Sequence, residues 1–356
     1  MITQIKHERP GVYSSYETSS LTAASTGGGK VAVVADAGNL ENGKDFYQWT
    51  SYSRAAADVG ECDLSRLAQL AIRNGAGAVY GIPVKSAEGG DEESYKKAFD
   101  VAAAIEDVSV VVCDSTDLKV QQKLKDMVLE CSEARKERIA VVGGEANESV
   151  DRLVERADGL NCERVVLVAP GGVDTDGKAV GGNLCAAAVA GAIAGSADPA
   201  LPLGGAQLYG LNGLEEGYDD GDIDLLVRGG VTPLETLAGA CYVVRGVTTR
   251  TTTGTAKDST WRELTTILVV DEVIPGLRSA LRSKFSRAKN TEQTRGAIRS
   301  QTVLELEKRV RREIIDSYED VTVSALEDDP TVCLVEFAFT VAHGLNQVWL
   351  SAHITV

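Results

Sequence analysis

Histidine is scarce in this chain. Among 356 residues there are three, His7, His343 and His353, and all lie near one end or the other. The commonest general base and the commonest zinc ligand are therefore missing from most of the sequence. A Ser–His–Asp triad needs a histidine held by a rigid scaffold, and no GxSxG elbow is present. The seven cysteines (Cys62, Cys113, Cys131, Cys162, Cys185, Cys241, Cys333) form no CxxC pair, and their number is odd. Several sit in apolar runs, as Cys113 does after Val110-Val111-Val112. They are expected as buried free thiols in a reducing compartment. No apolar run reaches the roughly 18 residues that cross a bilayer. Met1 to Pro10 hold no apolar core of signal-peptide length, so the expectation is a protein made and first kept in a cytoplasm.

Ligand motifs come close and fail. Gly172-Val-Asp-Thr-Asp-Gly177-Lys178-Ala179 nearly fits GxxxxGK[ST] behind an apolar run. Ala179 replaces the hydroxyl that would hold magnesium, and Asp174 and Asp176 would put negative charge into a phosphate cradle. Read as a calcium loop, the same residues lack a third oxygen position and the closing Glu, since Cys185 stands there. Gly75-Ala-Gly77-Ala-Val-Tyr-Gly81 has the wrong spacing for a dinucleotide fingerprint and precedes a strand. Gly27-Gly28-Gly29-Lys30 lacks a leading Gly at Ala24. The 52 acidic residues offer many carboxylate pairs, and nothing singles one out. No catalytic residue, cofactor or metal is expected.

What is present is an ordinary soluble composition, 44% hydrophobic and 25% charged, long enough for two or three domains. The net charge of -16 argues against a general nucleic-acid binder. Its distribution is uneven. Gly276 to Arg312 carry eleven Lys or Arg against three acids, a net of +8, which leaves -24 elsewhere. A basic segment on an acidic chain points to one acidic partner surface, or else to a solvated helix.

Residues 1–29 read as an arm. Pro10-Gly11-Val12-Tyr13 is a turn running into an extended piece, and Ser14 to Lys30 is Ser-, Thr- and Gly-rich, with a hinge at Gly27-Gly28-Gly29. From Val31 to Pro170 apolar runs alternate with amphipathic segments. The runs are Val31–Ala35, Ala78–Val84, Val108–Cys113, Ile139–Val142 and Val165–Ala169, and their β-branched content suits strands buried on both faces. Helical spacing follows Asp63 as a cap (Leu64, Leu67, Ala71). It recurs at Tyr95, Ala98, Ala102 and Ile105, at Val120, Leu124, Val128 and Cys131, and at Val150, Leu153, Val154 and Ala157. The pattern predicts a layered α/β body with mostly parallel strands. Next come an Ala-rich helix near Leu184–Ala194, an acidic exposed loop at Glu215–Asp224, and strands at Val243-Val244 and Thr248–Thr255 around a polar turn.

The last third changes to α+β. Val273–Phe285 and Val303–Ile315 read as helices, and Leu277 and Leu281 flank the basic Arg278 and Arg282. Val335, Phe337, Phe339 and Val341 then alternate with small or polar residues, as do Val348, Leu350, Ala352, Ile354 and Val356. A terminal strand this regular must add to some sheet, on its own chain or on a neighbour.

Three features resemble one family. They are Pro10-Gly11-Val12-Tyr13 near the start, then Tyr242-Val-Val-Arg-Gly-Val-Thr-Thr249 with Trp261-Arg-Glu-Leu and Val269-Val270-Asp271, and the order from Ile274 onward. That order is basic helix, Arg295-Gly296-Ala297-Ile298, long helix, strand, Asp328-Asp329-Pro330, strand, terminal strand. The set resembles the contractile tail sheath proteins of phage tails, R-type bacteriocins and related injection systems. The match is best over 240–356, fair over 135–240 and weak over 30–135.

The resemblance implies a structural subunit, not an enzyme. It would stack as hexameric rings around an inner tube and contract to drive that tube through a target envelope, in contact with baseplate and tail terminator. It implies no direct nucleic-acid or membrane contact, and a place in a virion tail or injection particle assembled in the bacterial host cytoplasm. Val12, Tyr13, Val348, Leu350 and Ile354 would belong to arms that add strands to neighbouring subunits, and Arg278, Arg282, Lys284 and Lys289 would face the tube. The regions would be an arm (1–29), a variable outer α/β part (30–135), a middle α/β part (136–240), a C-terminal core (241–344) and an arm strand (345–356). The rival readings are a small-molecule-binding α/β enzyme with an open parallel sheet, and a monomeric binding module.

Overall fold

The computed structural model describes residues 28–38, 43–85, 91–173, 177–179, 181–215 and 217–346. Each of the five apolar runs lands in a strand. In chain order the body opens with β1 (Lys30–Asp36), β2 (Tyr47–Trp49), α1 (Tyr52–Val59), α2 (Asp63–Arg73), β3 (Ala78–Val84) and α3 (Glu92–Ala104). It continues with β4 (Val110–Cys113), α4 (Leu118–Glu133), β5 (Ile139–Gly143), α5 (Val150–Leu160) and β6 (Val165–Ala169). Asp63 is the first residue of α2 and not its cap. Cys62 holds the cap position, and its amide donates to Ser65 Oγ at 3.0 Å. A carboxylate in the first turn still faces the positive end of the helix dipole.

Then follow α6 (Asn183–Gly195), β7 (Gln207–Leu208), α7 (Asp220–Arg228), β8 (Val231–Leu237) and β9 (Ala240–Val243). The nine strands form one sheet in the order β2-β3-β1-β4-β5-β6-β8-β9-β7. The six from β3 to β8 run parallel, while β2 pairs antiparallel with β3, and β9 with β8 and β7. This order could not be read from the sequence, because every buried parallel strand carries the same apolar signature.

Alternation sorts the side chains into two cores. Val31, Val33, Val110, Val112, Ile139 and Val141 face α1, α2 and α6. Ala32, Val34, Val111, Ala140, Val142 and Leu167 face α3, α4, α5 and α7. The chain leaves β1 for β3 on one side, then returns past β1 to β4. Because parallel crossovers are right-handed, that reversal sends α3, α4 and α5 to the opposite face, while α6 returns to the face of α1 and α2. Helix α6 is apolar all round and buried, since it has the sheet on one side and α2 on the other.

The acidic stretch 215–224 is not a single exposed loop. Its second half opens α7, where Asp219 accepts from the Asp222 amide at 2.8 Å and the Asp222 carboxylate accepts from the Asp219 amide at 3.3 Å. Acidic residues suit a helix start as well as a loop. The threonine-rich piece yields only β10 (Thr252–Thr253) and β11 (Ala256–Lys257). Thr248 and Thr249 are buried, and their hydroxyls donate to the Trp261 and Cys162 carbonyls at 2.7 and 3.1 Å. All seven cysteines are free and five are buried, with the Cys162 thiol pushed by burial up to about 12.

The C-terminal part comprises α8 (Leu264–Phe285), α9 (Glu292–Arg311), β12 (Ile315–Ala325) and β13 (Cys333–Val341). Both helices exceed their sequence limits. Arg295–Ile298 lies inside α9, and Ile315 already belongs to β12. Helix α8 runs through Pro275-Gly276, as the reading of Val273–Phe285 as one helix requires, and it starts nine residues earlier, at Leu264. Its first turns, at Leu264 and Ile267, belong to the body core, and Val269, Val270, Val273 and Leu277 form a third core with Leu306, Ile314 and Val321. That burial outweighs the proline. Arg309 fills the weak point. Its Nη2 donates to the Glu272 carbonyl at 3.1 Å, and its Nη1 reaches the Glu305 carbonyl at 2.8 Å and carboxylate at 3.2 Å. The boundary placed at 135/136 falls between α4 and β5 of one continuous sheet, and that at 240/241 falls inside β9.

Gly276 leaves the room that Arg309 uses. A Cβ there would overlap the guanidinium, which is itself buried. Alanine at a mid-helix glycine ordinarily gains about 0.5–1 kcal/mol. In Gly276→Ala the sign should reverse, to a loss of roughly 1–3 kcal/mol from overpacking, read as a lower urea midpoint. A stabilised variant would mean that Arg309 moves aside freely.

Candidate assembly surface

In open α/β sheets small ligands bind beyond the C-terminal ends of the strands, at the point where strand order reverses. Here that point lies between β1 and β4. Asp114, just past β4, accepts from the Asp36 amide at 2.8 Å and from the Tyr95 hydroxyl at 2.5 Å. Burial pushes the Asp114 carboxyl above the usual carboxylate range and the Tyr95 hydroxyl well above its own. Beside them the buried Arg156 donates from Nε to both Glu148 oxygens at 3.0 and 3.1 Å. It also donates to the Thr116 carbonyl at 2.7 Å and to Glu145 at 3.0 Å. Gln121 Nε2 donates to the Gly143 carbonyl at 2.8 Å.

The glycine-rich run behind β6 is closed in the same way. Val173 bridges to Ala179, and the Gly182 amide donates to the Gly144 carbonyl at 2.9 Å. Glu215 accepts from the amides of Gly181 at 3.2 Å and Asn147 at 2.9 Å. A phosphate cradle needs such amides free. The amides of Gly181, Gly182 and Asn147, next to the Gly172–Ala179 run, are taken by a carboxylate and a carbonyl of the same chain.

The C-terminal part offers a different kind of surface. Leu277 and Leu281 turn inward, as their spacing requires. Arg278 sits between them, largely buried, with Nη2 donating to Glu137 at 2.8 Å, where the Glu137 side chain is 5% exposed. Two turns back along α8, Arg164 Nη1 reaches Asp271 at 3.3 Å. These two pairs fasten α8 to the body. Their partners lie 141 and 107 residues apart, and no sequence signal joins them. Arg282, Lys284 and Lys289 are exposed, with Lys284 Nζ donating to Gln301 Oε1 at 2.5 Å. Of the four basic residues singled out by charge, three therefore face solvent and one faces the body.

Strands β12 and β13 form an antiparallel ribbon from Ile315↔Val341 to Ala325↔Cys333. Tyr318, Phe337, Phe339 and Val341 pack onto the third core, while Asp316, Glu319, Asp320, Glu336 and Thr340 are exposed. From Glu313 to Asn346 there are eight acids and no Lys or Arg. The helices of this part are thus basic and its ribbon acidic. Among the described residues the ribbon has two strands, so each offers one edge without a ladder partner. Val12, Tyr13, Val348, Leu350 and Ile354 lie outside the described residues.

Taken together, these features define a two-part α/β protein. A doubly wound body has its strand ends tied by its own side chains, and it carries a helix–ribbon unit of split charge. Residues 91–249 match the phage tail sheath protein central domain, and residues 256–355 match the phage tail sheath C-terminal domain. The tail sheath protein of Bacillus phage SP01 is 27% identical over 254 residues, 69% of this chain, and the chain spans 43% of that protein's length. The fold is shared with the contracted helical sheath of the anti-feeding prophage (TM-score 0.72, 14% identity, covering 98% of this chain and 99% of that one). It is shared also with a sheath tail protein from Listeria innocua (TM-score 0.70, 13% identity, covering 90% and 93%). The chain belongs to the contractile tail sheath family.

The closed strand ends predict a pH effect. A carboxyl raised in the folded state adds stability below its unfolded pKa and loses it as pH rises through the folded value. Ionised Asp114 is therefore a cost at pH 7. Asp114→Asn keeps both contacts, because the amide oxygen can accept from Asp36 and the amide nitrogen can donate to the Tyr95 oxygen. The variant should melt above the wild type at pH 7, and the gain should vanish below about pH 4. An equal shift at both pH values would show that ionisation is not the cause.

Proposed function

We propose that this chain is a structural subunit of a contractile sheath. It polymerises as stacked hexameric rings around an inner tube and contracts to drive the tube through a target envelope. The observation that carries the reading is the β12–β13 ribbon, which among the described residues has strand edges without a ladder partner and packs on helix α8, itself held to the body by buried ion pairs. Strands from the arms of neighbouring subunits, 1–29 and 345–356, would complete it. About five backbone hydrogen bonds at roughly 1 kcal/mol net each would give a link of several kcal/mol before ordering costs. Such links leave each subunit free to move as a unit while the mesh stays joined. Energy is stored at assembly in an extended lattice, and no nucleotide is needed.

Arg282, Lys284 and Lys289 face the acidic surface of the tube. Arg278 holds the helix that carries them. Exposed ion pairs are worth only about 0–1 kcal/mol each, so many can template assembly and still be released. The chain is not an enzyme. The internal hydrogen bonds that occupy Asp114, Glu148, Arg156 and Glu215 support this over a small-molecule site. Its partners are further copies of itself, the tube, the baseplate and the tail terminator, in a virion tail or injection particle assembled in the bacterial host cytoplasm.

Electron microscopy of the purified chain, with and without tubes, should reveal helical sheaths; persistent monomers under both conditions would sink the reading. Arg282→Glu with Lys284→Glu should block coating of tubes at low salt yet leave tube-free polymers possible. Normal coating by that variant would remove the tube-facing role. Deleting residues 347–356 should leave a soluble folded monomer that builds no sheath, and sheaths from the truncated chain would refute the arm link.

A further inference from the structure

Strand β13 ends at Val341, and the chain then leaves its ribbon. The Ala342 amide still reaches the Ile314 carbonyl at 3.4 Å. Two residues later the backbone lies on the body. Gly344 rests against the ring of Pro202, in the loop between α6 and β7. A Cβ at 344 would overlap Pro202 Cγ and crowd Cδ at 2.9 Å. The φ of Gly344 is not left-handed, so its backbone suits other residues and the glycine serves only the close approach. Beside this contact His343 and Asn346 line a cavity of about 160 Å³ with Leu203, Arg245, Glu263 and Thr265. Arg245 and Glu263 are ion-paired across it and join the exit of β9 to the start of α8. Segment 343–346 therefore stands on the body and on α8, not on the ribbon that precedes it.

We propose that the Gly344–Pro202 contact moors the root of the C-terminal arm, so that a pull on the arm loads the body and α8 instead of peeling β13 from β12. The inference rests on the arm being engaged by a neighbouring subunit. A two-stranded ribbon pulled from its end opens one hydrogen bond at a time, because each broken bond exposes the next. A mooring between the ribbon and the engaged arm interrupts that path. The load then reaches a nine-stranded sheet with helices on both faces. Such a sheet yields only through cooperative opening. The ribbon stays intact for the strands it receives.

The test uses Gly344→Ala, alone and with Pro202→Ala, which removes the ring atoms that a new Cβ would meet. In the full-length monomer, amide exchange over 342–346 should quicken by about 10-fold or more in Gly344→Ala, with 315–325 and 333–341 unchanged. Sheath yield around tubes should fall about 10-fold, and the double variant should recover to within about twofold of wild type. Wild-type exchange and assembly in Gly344→Ala would overturn the mooring, as would a loss that Pro202→Ala does not repair. If the wild-type chain itself builds no sheath, the sheath reading falls, and the exchange data still decide the mooring.

Discussion

Helix α8 is fastened to the α/β body by two guanidinium–carboxylate contacts, Arg164–Asp271 and Arg278–Glu137, and the C-terminal part of the molecule depends on that attachment. Removing charges from water is expensive, so buried pairs of this kind add little net stability over an apolar contact of similar shape. They do penalise any other position of the helix, because a shifted α8 would leave Asp271 or Glu137 buried beside no cation. The same logic recurs at Arg309, whose guanidinium crosses α8 beside Pro275 and Gly276. Position is set here by the cost of unpaired charge, and stability comes from the three apolar cores.

A rigid attachment matters for a subunit that works by moving. In the proposed sheath the arms bend and the subunits do not. The body, α8, α9 and the ribbon must then behave as one piece, and the three cores overlap along α8 to make that possible. The closed strand ends fit the same picture. A ligand-binding α/β protein keeps amides and side chains free at that edge. Here Glu148, Glu215 and Arg156 tie the loops at 114–118, 143–149 and 171–182 to one another. Such bonds stiffen the described parts of these loops.

Charge is divided to suit two kinds of contact. The basic helices and the acidic ribbon belong to one unit, yet each presents a single sign outward. Many exposed charges give weak, reversible recognition, while strand edges give directional links with a defined register. The proposed lattice, which would release a tube and keep its own mesh, calls on both.

Composition and periodicity alone determined β1, β3, β4, β5 and β6, helices α2 to α6, the α/β class and the change of character in the last third, while β2, α1, β7, α7 and β8 carried no such signal. Each is a local consequence of apolar spacing. Val31–Ala35 or Val165–Ala169 can bury both faces only in a covered sheet. The sequence also marked the basic segment, because charge can be counted. Local reading erred where tertiary contact overruled local preference. Ile315, read as the end of a helix, opens β12, because it pairs with Val341 across the ribbon. The acids at 219–222 capped a helix, because helix starts and loops favour the same residues. Strand order, the Arg278–Glu137 pair and the Gly344–Pro202 contact were decided by the tertiary structure alone. They join residues more than 100 positions apart, or choose among strands of identical pattern, and no spacing along a chain encodes which distant surface a side chain will meet.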